Sequence, residues 1–201
     1  GSVETLVDAV ADLDIAFLVN NAGAGCAGRL DKRDSSDLDQ LVQLNCAAPL
    51  ALASQLLPPM RERGRGAMVV VGSIAGRQPL ALHAVYAATK AFVRSYTDGV
   101  RGELAGTGVT VAALHPGPVR TEFLETAGMD ERTFAAAFPR FMWVPSATVA
   151  KAGIDALAHD RGAVIPGLQN EIPARLFELM PRRLLLPLLT SRHPALRRSG
   201  R

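Results

Sequence analysis

The sequence predicts an α/β protein in which a parallel sheet carries helices on both faces. Three short apolar runs of strand length, Ile15 to Val19, Ala67 to Val71 and Val109 to Leu114, alternate with stretches of helical periodicity. A fourth short run, Ala163 to Pro166, follows the last long helical stretch. Alternating strands and helices favour a parallel sheet, because parallel neighbours require a crossover connection that is usually a helix. No internal repeat or low-complexity linker divides residues 1–201, so we expect one domain.

Four helical stretches separate these strands. They are Gly1 to Leu13, Asp34 to Met60, Val85 to Leu104 and Ser146 to His159. Their predicted N-caps are Ser2 for the first, Asp34, Ser35 or Ser36 for the second, and Ser146 for the fourth. The second should end at Pro58-Pro59, since proline lacks the amide proton that a helix interior needs.

Composition is that of an ordinary globular protein, with 48% hydrophobic and 20% charged residues. The net charge of +3 is confined to the C-terminal end. Six arginines and no acidic residue lie between Pro181 and Arg201, and the rest of the chain is acidic. The basic pI of about 9.2 therefore describes this tail and not a DNA-binding face, so we expect no nucleic-acid partner.

The two cysteines, Cys26 and Cys46, have neither metal-ligand spacing nor the spacing of a redox pair. We interpret each as a small, wholly or partly buried thiol, and we expect no metal site. The sequence shows no secretory leader and no uninterrupted apolar run of membrane length. A reducing cytoplasm is the expected location.

Tyr86 and Lys90 have the spacing of a proton-transfer pair. In a helix, side chains four residues apart are neighbours, so an ammonium at Lys90 would lie near the Tyr86 phenol. A unit charge about 5 Å away contributes on the order of 3 kcal/mol at an effective dielectric of about 20. We therefore expect Lys90 to lower the phenol pKa from its usual value of about 10 by about two units. Ser73, after the second apolar run, offers a hydroxyl to hold a carbonyl or carbinol oxygen.

Five ordered elements together carry a family resemblance. They are Asn20-Asn21-Ala22-Gly23, Asn45, Ser73, Tyr86 to Lys90 and Pro116-Gly117. In this order and spacing they resemble the short-chain dehydrogenase/reductase family, from about Leu13 to Thr121 and more loosely to Gly167. The resemblance implies a Rossmann-like, doubly wound parallel sheet with ligands at the carboxyl ends of the strands. Polar residues and glycines follow each predicted strand, which agrees independently with such a site.

The resemblance implies an NAD(P)-dependent oxidoreductase that interconverts a secondary alcohol and a ketone. The implied catalytic residues are Asn45, Ser73, Tyr86 and Lys90. The implied cofactor-binding residues are Asn20, Ala22, Gly23, Tyr86, Lys90, Pro116, Gly117, Val119 and Thr121. Tyr86 would transfer the proton, and Asn45 would hold a helix kink and a water that relays protons. The sequence does not distinguish NAD from NADP.

Members of this family open with a strand, a glycine-rich turn and a helix that receive the dinucleotide pyrophosphate. Gly1 to Leu13 instead resembles the helix before the family's fourth strand, so we expect an N-terminally truncated fold with an unpaired sheet edge. Gly23 to Gly28 follows a strand, but no acidic residue ends a second strand about 20 residues later, as a dinucleotide fingerprint requires. The alternative function is a non-catalytic fragment or assembly partner that has lost dinucleotide binding.

Two further segments could contact a substrate, a membrane or a second subunit. In the family, residues 121–145 form a substrate lid, and here this stretch is apolar. Its apolar residues include Phe123, Leu124, Met129, Phe134, Phe138, Phe141, Met142 and Trp143. They suit an apolar ketone or alcohol, or else they pack the lid onto the body or onto a second subunit. The tail, residues 171–201, could lie on an anionic membrane, but we favour packing beside the site or in a homo-oligomer interface. We assign no chemistry to His83, His115 or Cys26.

Overall fold

The computed structural model describes residues 2–121, 123 and 138–191, and its centre is a four-stranded parallel sheet. The strands are β1 Phe17–Asn20, β2 Gly66–Val71, β3 Val109–Leu114 and β4 Ala163–Val164. They lie side by side in sequence order, and every neighbouring pair is parallel. The predicted α/β class and the four strands are confirmed. The last strand is two residues shorter than predicted, because Pro166 has no amide proton for a sheet.

Seven α-helices connect and flank the described strands. They are α1 Ser2–Ala9, α2 Ser35–Val42, α3 Ala48–Glu62, α4 Ala84–Glu103, α5 Ser146–Ala158, α6 Leu168–Leu179 and α7 Arg182–Ser191. A π-helical segment, Gln43–Ala47, joins α2 to α3. Short 3-10 turns occupy Leu30–Lys32, Ile74–Arg77 and Arg140–Met142.

The helical run from α2 to α3 departs from the prediction at its end. It continues past Pro58 and Pro59 to Glu62. Both prolines are exposed, so the carbonyl groups that lose a helical partner can be hydrated. By length and composition, Ser35–Glu62 could also cross a membrane. Its buried side chains, including Leu57, pack against the sheet as those of a core helix do.

Two of the predicted helix caps have a clear outcome. Asp34 is the N-cap of α2, and its carboxylate accepts a hydrogen bond from the Ser36 backbone N–H at 2.8 Å. The predicted Ser146 cap of α5 is wrong. Pro145 occupies the N-cap position without a side-chain hydrogen bond, and Ser146 is already helical because proline's extended backbone starts the turn.

The core has one layer on each face of the sheet. Alternate residues of β2 point to opposite faces, as the two-residue period of a strand requires. Met68 and Val70 pack with α3 and α4, in a cluster that includes Leu57, Met60 and Val93. Val69 faces the other layer, which contains Ala112, Leu114, Val149, Ala156 and Leu157. This double winding places the carboxyl ends of all strands at one edge, where a site can form.

Strand β1 lies at the edge of the described sheet and pairs only with β2. Leu18 and Asn20 are buried, whereas Phe17 and Val19 are about half exposed. The strand is thus apolar on both faces but packed on one, and one of its edges is unpaired in the described sheet, as expected. Of the predicted lid and tail, residues 122, 124–137 and 192–201 lie outside the described residues.

Candidate active site

The turn that carries Ser73 lies beside the loop that follows β3. Backbone hydrogen bonds continue the pairing of β2 with β3 beyond the ends of both strands. The Gly72 N–H donates to the Leu114 carbonyl at 2.7 Å, and the Ile74 N–H donates to the Pro116 carbonyl at 3.1 Å. Ser73, between these two bonds, is therefore fixed next to Pro116 by sheet geometry.

A close contact brings the same turn to helix α4. Ser73 is the N-cap of the 3-10 turn Ile74–Arg77, and its Oγ accepts a hydrogen bond from the Ala75 N–H at 3.1 Å. A Cβ added at Gly76 would lie 2.3 Å from the carbonyl carbon of Lys90. Only glycine fits this approach of turn to helix, and the sequence analysis did not single out Gly76.

Lys90 and Tyr86 occupy one face of α4, as their spacing predicted. The Lys90 Nζ lies 6.0 Å from the centre of the Tyr86 ring and donates a hydrogen bond to the Val71 carbonyl at 2.9 Å. Lys90 is buried, and burial lowers its pKa to about 8, although nearby Cys46 opposes this shift. The ammonium is thus charged at neutral pH but close to its titration range.

The structure does not show the expected lowering of the Tyr86 pKa by Lys90. Burial raises the pKa of Tyr86, and a hydrogen bond with the Ser73 side chain lowers it only in part. The desolvation of the phenolate outweighs the hydrogen bond because the ring lies between α4 and neighbouring apolar groups, including the Phe123 ring at 5.9 Å. Tyr86 is therefore a protonated phenol at neutral pH.

Asn45 lies in the π-helical segment and is buried. Its Oδ1 accepts a hydrogen bond from the Ala24 N–H, and its Nδ2 donates to the Ala24 carbonyl, both at 2.9 Å. The same Nδ2 also donates to Thr89 Oγ1 at 3.0 Å. Because the π-helical segment interrupts the regular helix at Asn45, this amide connects the segment after β1 with α4. Thr89 was not predicted as a site residue.

The segment after β1 contributes through its backbone and one glycine. A Cβ at Gly23 would lie 3.2 Å from Asn45 Oδ1 and 3.3 Å from Lys90 Nζ, so this backbone borders both polar groups. Asn20 is buried, and its Nδ2 donates to the Met68 sulfur at 3.6 Å, so its side chain supports the sheet. Ala22 is exposed.

Of the predicted site residues that follow β3, only some lie near this cluster. Pro116 lies beside Ser73, as described above. Val119 packs into the core layer of α5, and Thr121 is exposed with its Oγ1 accepting from the Phe123 N–H at 3.4 Å. The structure therefore brings together Gly23, Asn45, Ser73, Tyr86 and Lys90. It does not place the side chains of Val119 and Thr121 with them.

Asn170, at the start of α6, is a residue that the sequence analysis missed. It is buried, and its Nδ2 donates to the carbonyl groups of Met142 at 2.9 Å and Pro166 at 3.3 Å. Its Oδ1 has no hydrogen-bond partner among the described residues. A Cβ at Gly117 would lie 2.5 Å from the Asn170 amide carbon. Asn170 thus holds three loop segments together. Its side chain fits beside Gly117 because glycine has no side chain.

His115 is fully buried between the Ser73 turn and a group of cations. Burial and, to a lesser extent, the nearby charges of Arg77, Arg94 and Lys90 together lower its pKa to about 4. Neither ring nitrogen has a well-formed hydrogen bond to a described residue, although the Ser73 backbone is close enough to oppose the shift in part. His115 is therefore a buried, neutral imidazole at pH 7.

An ion-pair triad ties helix α6 to the site. Glu178 binds Arg77 of the Ser73 turn at 2.9 Å, and it also binds Arg94 of α4. Arg77 is nearly buried, so this pair is shielded from solvent. The partners are 101 and 84 residues apart in the sequence, and no local pattern identifies such a pair.

Comparisons with known proteins agree with this geometry. The family model described as short chain dehydrogenase matches residues 2–132. The chain belongs to this family. A ketoacyl reductase, HetN, from Nostoc sp. is 33% identical over 179 residues, which cover 89% of this chain and 59% of that protein. A NADP-dependent 3-hydroxy acid dehydrogenase, YdfG, from Salmonella typhi is 39% identical over 123 residues, covering 59% of this chain and 50% of that protein.

Solved structures show the same fold. A short-chain dehydrogenase from Sphingobium yanoikuyae in complex with NADPH has a TM-score of 0.73 at 27% identity, over 90% of this chain and 71% of that one. A short chain dehydrogenase from Burkholderia cenocepacia in complex with NADP has a TM-score of 0.77 at 26% identity, over 93% and 76%. The present chain spans 59% and 50% of the two curated relatives named above.

We predict that His115 makes the fold sensitive to acid. Its pKa is about 4 in the fold and about 6.5 in the unfolded chain, so the unfolded state binds more protons between these values. Stability is therefore fully present above about pH 6.5 and falls as the pH drops toward 4. Between pH 7 and pH 5 the loss should be about 2 kcal/mol. Urea unfolding of His115→Asn should show a smaller loss over this interval.

The matched control for this measurement is His159→Gln, because His159 is exposed. This variant should keep the full pH dependence of the unmodified chain. The quantity compared is the change in unfolding free energy between the two pH values, not the stability at either one. An unchanged pH dependence in His115→Asn would contradict the prediction.

We also predict that Gly117 and Asn170 are energetically coupled. Gly117→Ala places a methyl group against the Asn170 amide and should destabilise the fold by about 1–3 kcal/mol, as overpacking does. Adding Asn170→Ala removes that clash, so the double variant should be more stable than the sum of the single effects predicts. Chemical unfolding of all four proteins measures the coupling. Gly99→Ala, which has open space around it, is the control. Additive effects would contradict the coupling.

Proposed function

We propose that this chain carries the proton-transfer centre of an NAD(P)-dependent oxidoreductase that interconverts a secondary alcohol and a ketone. The observation that carries the proposal is the convergence of Ser73, Tyr86 and Lys90. These residues come from two elements that the Gly76 contact brings close together, and two of them share a hydrogen bond. A ketoacyl reductase and a 3-hydroxy acid dehydrogenase among the relatives support a carbonyl or hydroxyl substrate.

The described residues fit the nicotinamide end of a dinucleotide. Among the described residues, the Lys90 Nζ has one hydrogen-bond acceptor, the Val71 carbonyl, so two of its three N–H groups can bind ribose hydroxyls. Gly23 borders this ammonium. Because it has no side chain, its backbone leaves room for a ligand to approach. When bound, the nicotinamide would supply or accept the hydride. The NADPH and NADP in the two neighbouring structures support this cofactor class, with NAD still an alternative.

The state of Tyr86 favours one direction of proton transfer. Because burial raises its pKa, the phenol holds its proton at neutral pH and can donate it from the hydroxyl oxygen to a carbonyl oxygen. Ser73 Oγ accepts from the Ala75 N–H and so can direct its own hydrogen at Tyr86 or at the same substrate oxygen. This arrangement supports ketone reduction as the reaction at neutral pH. In the reverse direction the phenol would first have to lose its proton, and the phenolate oxygen would then accept the proton of the alcohol.

Asn45 has a structural part in this proposal. Its amide fixes the Gly23-Ala24 backbone beside Lys90, which sets one wall of the site. Its part in a proton relay stays a prediction.

Apolar side chains of the predicted lid, one of them in contact with Tyr86, support an apolar substrate. The Phe123 ring contacts Tyr86, and Phe138, Met142 and Trp143 are half-buried in the segment that follows the undescribed part of the lid. Binding sites for small ligands are mostly apolar with a few polar anchors, and here the anchors would be Ser73 and Tyr86. A cytoplasmic location also stays a prediction.

The main test is Tyr86→Phe, which removes the hydroxyl and keeps the ring. With apolar ketones and NADPH or NADH as substrates, this variant should turn over at least about a hundredfold more slowly, the usual effect of losing a positioned acid or base. Oxidation of the reduced cofactor, followed by its absorbance, gives the rate.

Calorimetric titration with NADPH and NADH is the control, because the hydroxyl should matter little for cofactor affinity. Tyr96→Phe is a matched substitution on the same helix, away from Ser73, and should leave the rate unchanged. Near-normal turnover in Tyr86→Phe would refute the assignment of the acid. Failure of the unmodified chain to bind either cofactor would instead favour a non-catalytic assembly partner.

We further propose that the chain forms a homo-oligomer through α3 and α4. Their outer faces border a groove of about 960 Å³ lined by apolar residues such as Leu50, Leu57 and Val100. Phe92 and Tyr96 stack beside it, with ring centres 5.6 Å apart. Leu50 and Phe92 are exposed, and a second copy could cover them with the same face about a two-fold axis.

Phe92→Glu should convert such an oligomer to monomer, because two carboxylates would be buried near the axis without partners. Light scattering during size-exclusion chromatography measures the mass. Ile154→Glu, an exposed residue of α5 on the other face of the sheet, should leave the mass unchanged. A monomeric unmodified chain, or an oligomer that Phe92→Glu leaves intact, would contradict this interface.

A further inference from the structure

Helix α6 carries a second apolar face that the described residues leave mostly exposed. Four large apolar residues on this helix are mostly exposed: Leu168 (69%), Ile172 (55%), Leu176 (59%) and Leu179 (83%). At about 100° per residue they fall within one narrow sector of the helix, which we name the apolar stripe. Contiguous exposed apolar surface of this kind marks a site of interaction.

The opposite face of α6 fixes the stripe in its outward position. Asn170 and Ala174 on that face are buried, and Glu178 binds Arg77 and Arg94. These contacts are polar and specific, so the helix cannot rotate the stripe inward without breaking them. Among the described residues, these contacts therefore hold the stripe on the surface.

The charge around the stripe is positive. Arg182 and Arg183 follow the stripe residue Leu179 and begin the next helix, α7, whose Leu184 and Leu186 are also exposed. The acidic residues of α6 are both engaged: Glu171 binds Arg175 at 2.6 Å, and Glu178 belongs to the triad described above. All 19 acidic residues of the chain precede Pro181, whereas six arginines follow it.

We propose that the apolar stripe, together with Arg182 and Arg183, forms a docking surface for an anionic lipid bilayer. A helix with leucines on one side and arginines beside them can lie in the plane of the interface, with its apolar side chains at the level of the acyl chains. Anionic headgroups would neutralise the arginines. A second copy fits less well, because a two-fold contact through the stripe would bring two sets of arginines together.

Vesicle flotation with the full chain tests this proposal. Extruded vesicles of phosphatidylcholine alone are compared with vesicles containing one-third phosphatidylglycerol, at low and high NaCl. Binding should require the anionic lipid and weaken in high salt, because surface charges are screened. Replacing the stripe by Leu168→Gln, Leu176→Gln and Leu179→Gln should reduce the bound fraction by about tenfold, since the apolar contribution is lost. Arg182→Gln with Arg183→Gln should weaken binding to anionic vesicles only.

A matched control replaces three equally exposed apolar residues elsewhere, Leu13→Gln, Leu30→Gln and Ile154→Gln. It should bind vesicles like the unmodified chain. Circular dichroism confirms that each variant is folded. Equal binding by the stripe variant and the control would overturn the proposal. So would self-association without lipid that the stripe substitutions abolish, since the surface would then be an interface between copies.

Discussion

The contact between Gly76 and the backbone of Lys90 is the constraint on which the site depends. A side chain at Gly76 would overlap the carbonyl group of Lys90, so the Ser73 turn and helix α4 could not touch. Sheet pairing fixes the other side of the turn through Ile74 and Pro116. Ser73 is thus held between a helix and a strand end, both of which belong to the core. A proton-transfer site benefits from such rigid support, because small displacements of the reacting groups are costly.

Burial determines the protonation states more than charge does. Lys90, Tyr86 and His115 all have shifted pKa values, and the first cause in each case is desolvation. The phenol and the imidazole are consequently neutral at pH 7, and the ammonium is the charged group among the three. This combination differs from the expectation of a Tyr86 activated by Lys90. It fits the general acid proposed above, which would keep its proton until a substrate oxygen accepts it.

Local patterns predicted the parts of this molecule that depend on neighbours in sequence. The strands followed from their runs of valine and alanine, and the pairing of Tyr86 with Lys90 followed from helical spacing. Glu178 and Asn170 could not be found in this way, because their partners lie on distant elements. The pKa of Tyr86 was predicted with the wrong sign, since spacing reveals a nearby charge but not the loss of water around the phenol.

Helix α6 connects the candidate site to the surface of the protein. Its packed face holds two loops of the site, through Glu178 on the Ser73 turn and Asn170 on Gly117. Its other face is the apolar stripe. A surface that binds the stripe would therefore act on a helix that contacts both loops. Helix α6 thus carries both the proposed docking surface and the ion pair that helps to position the Ser73 turn.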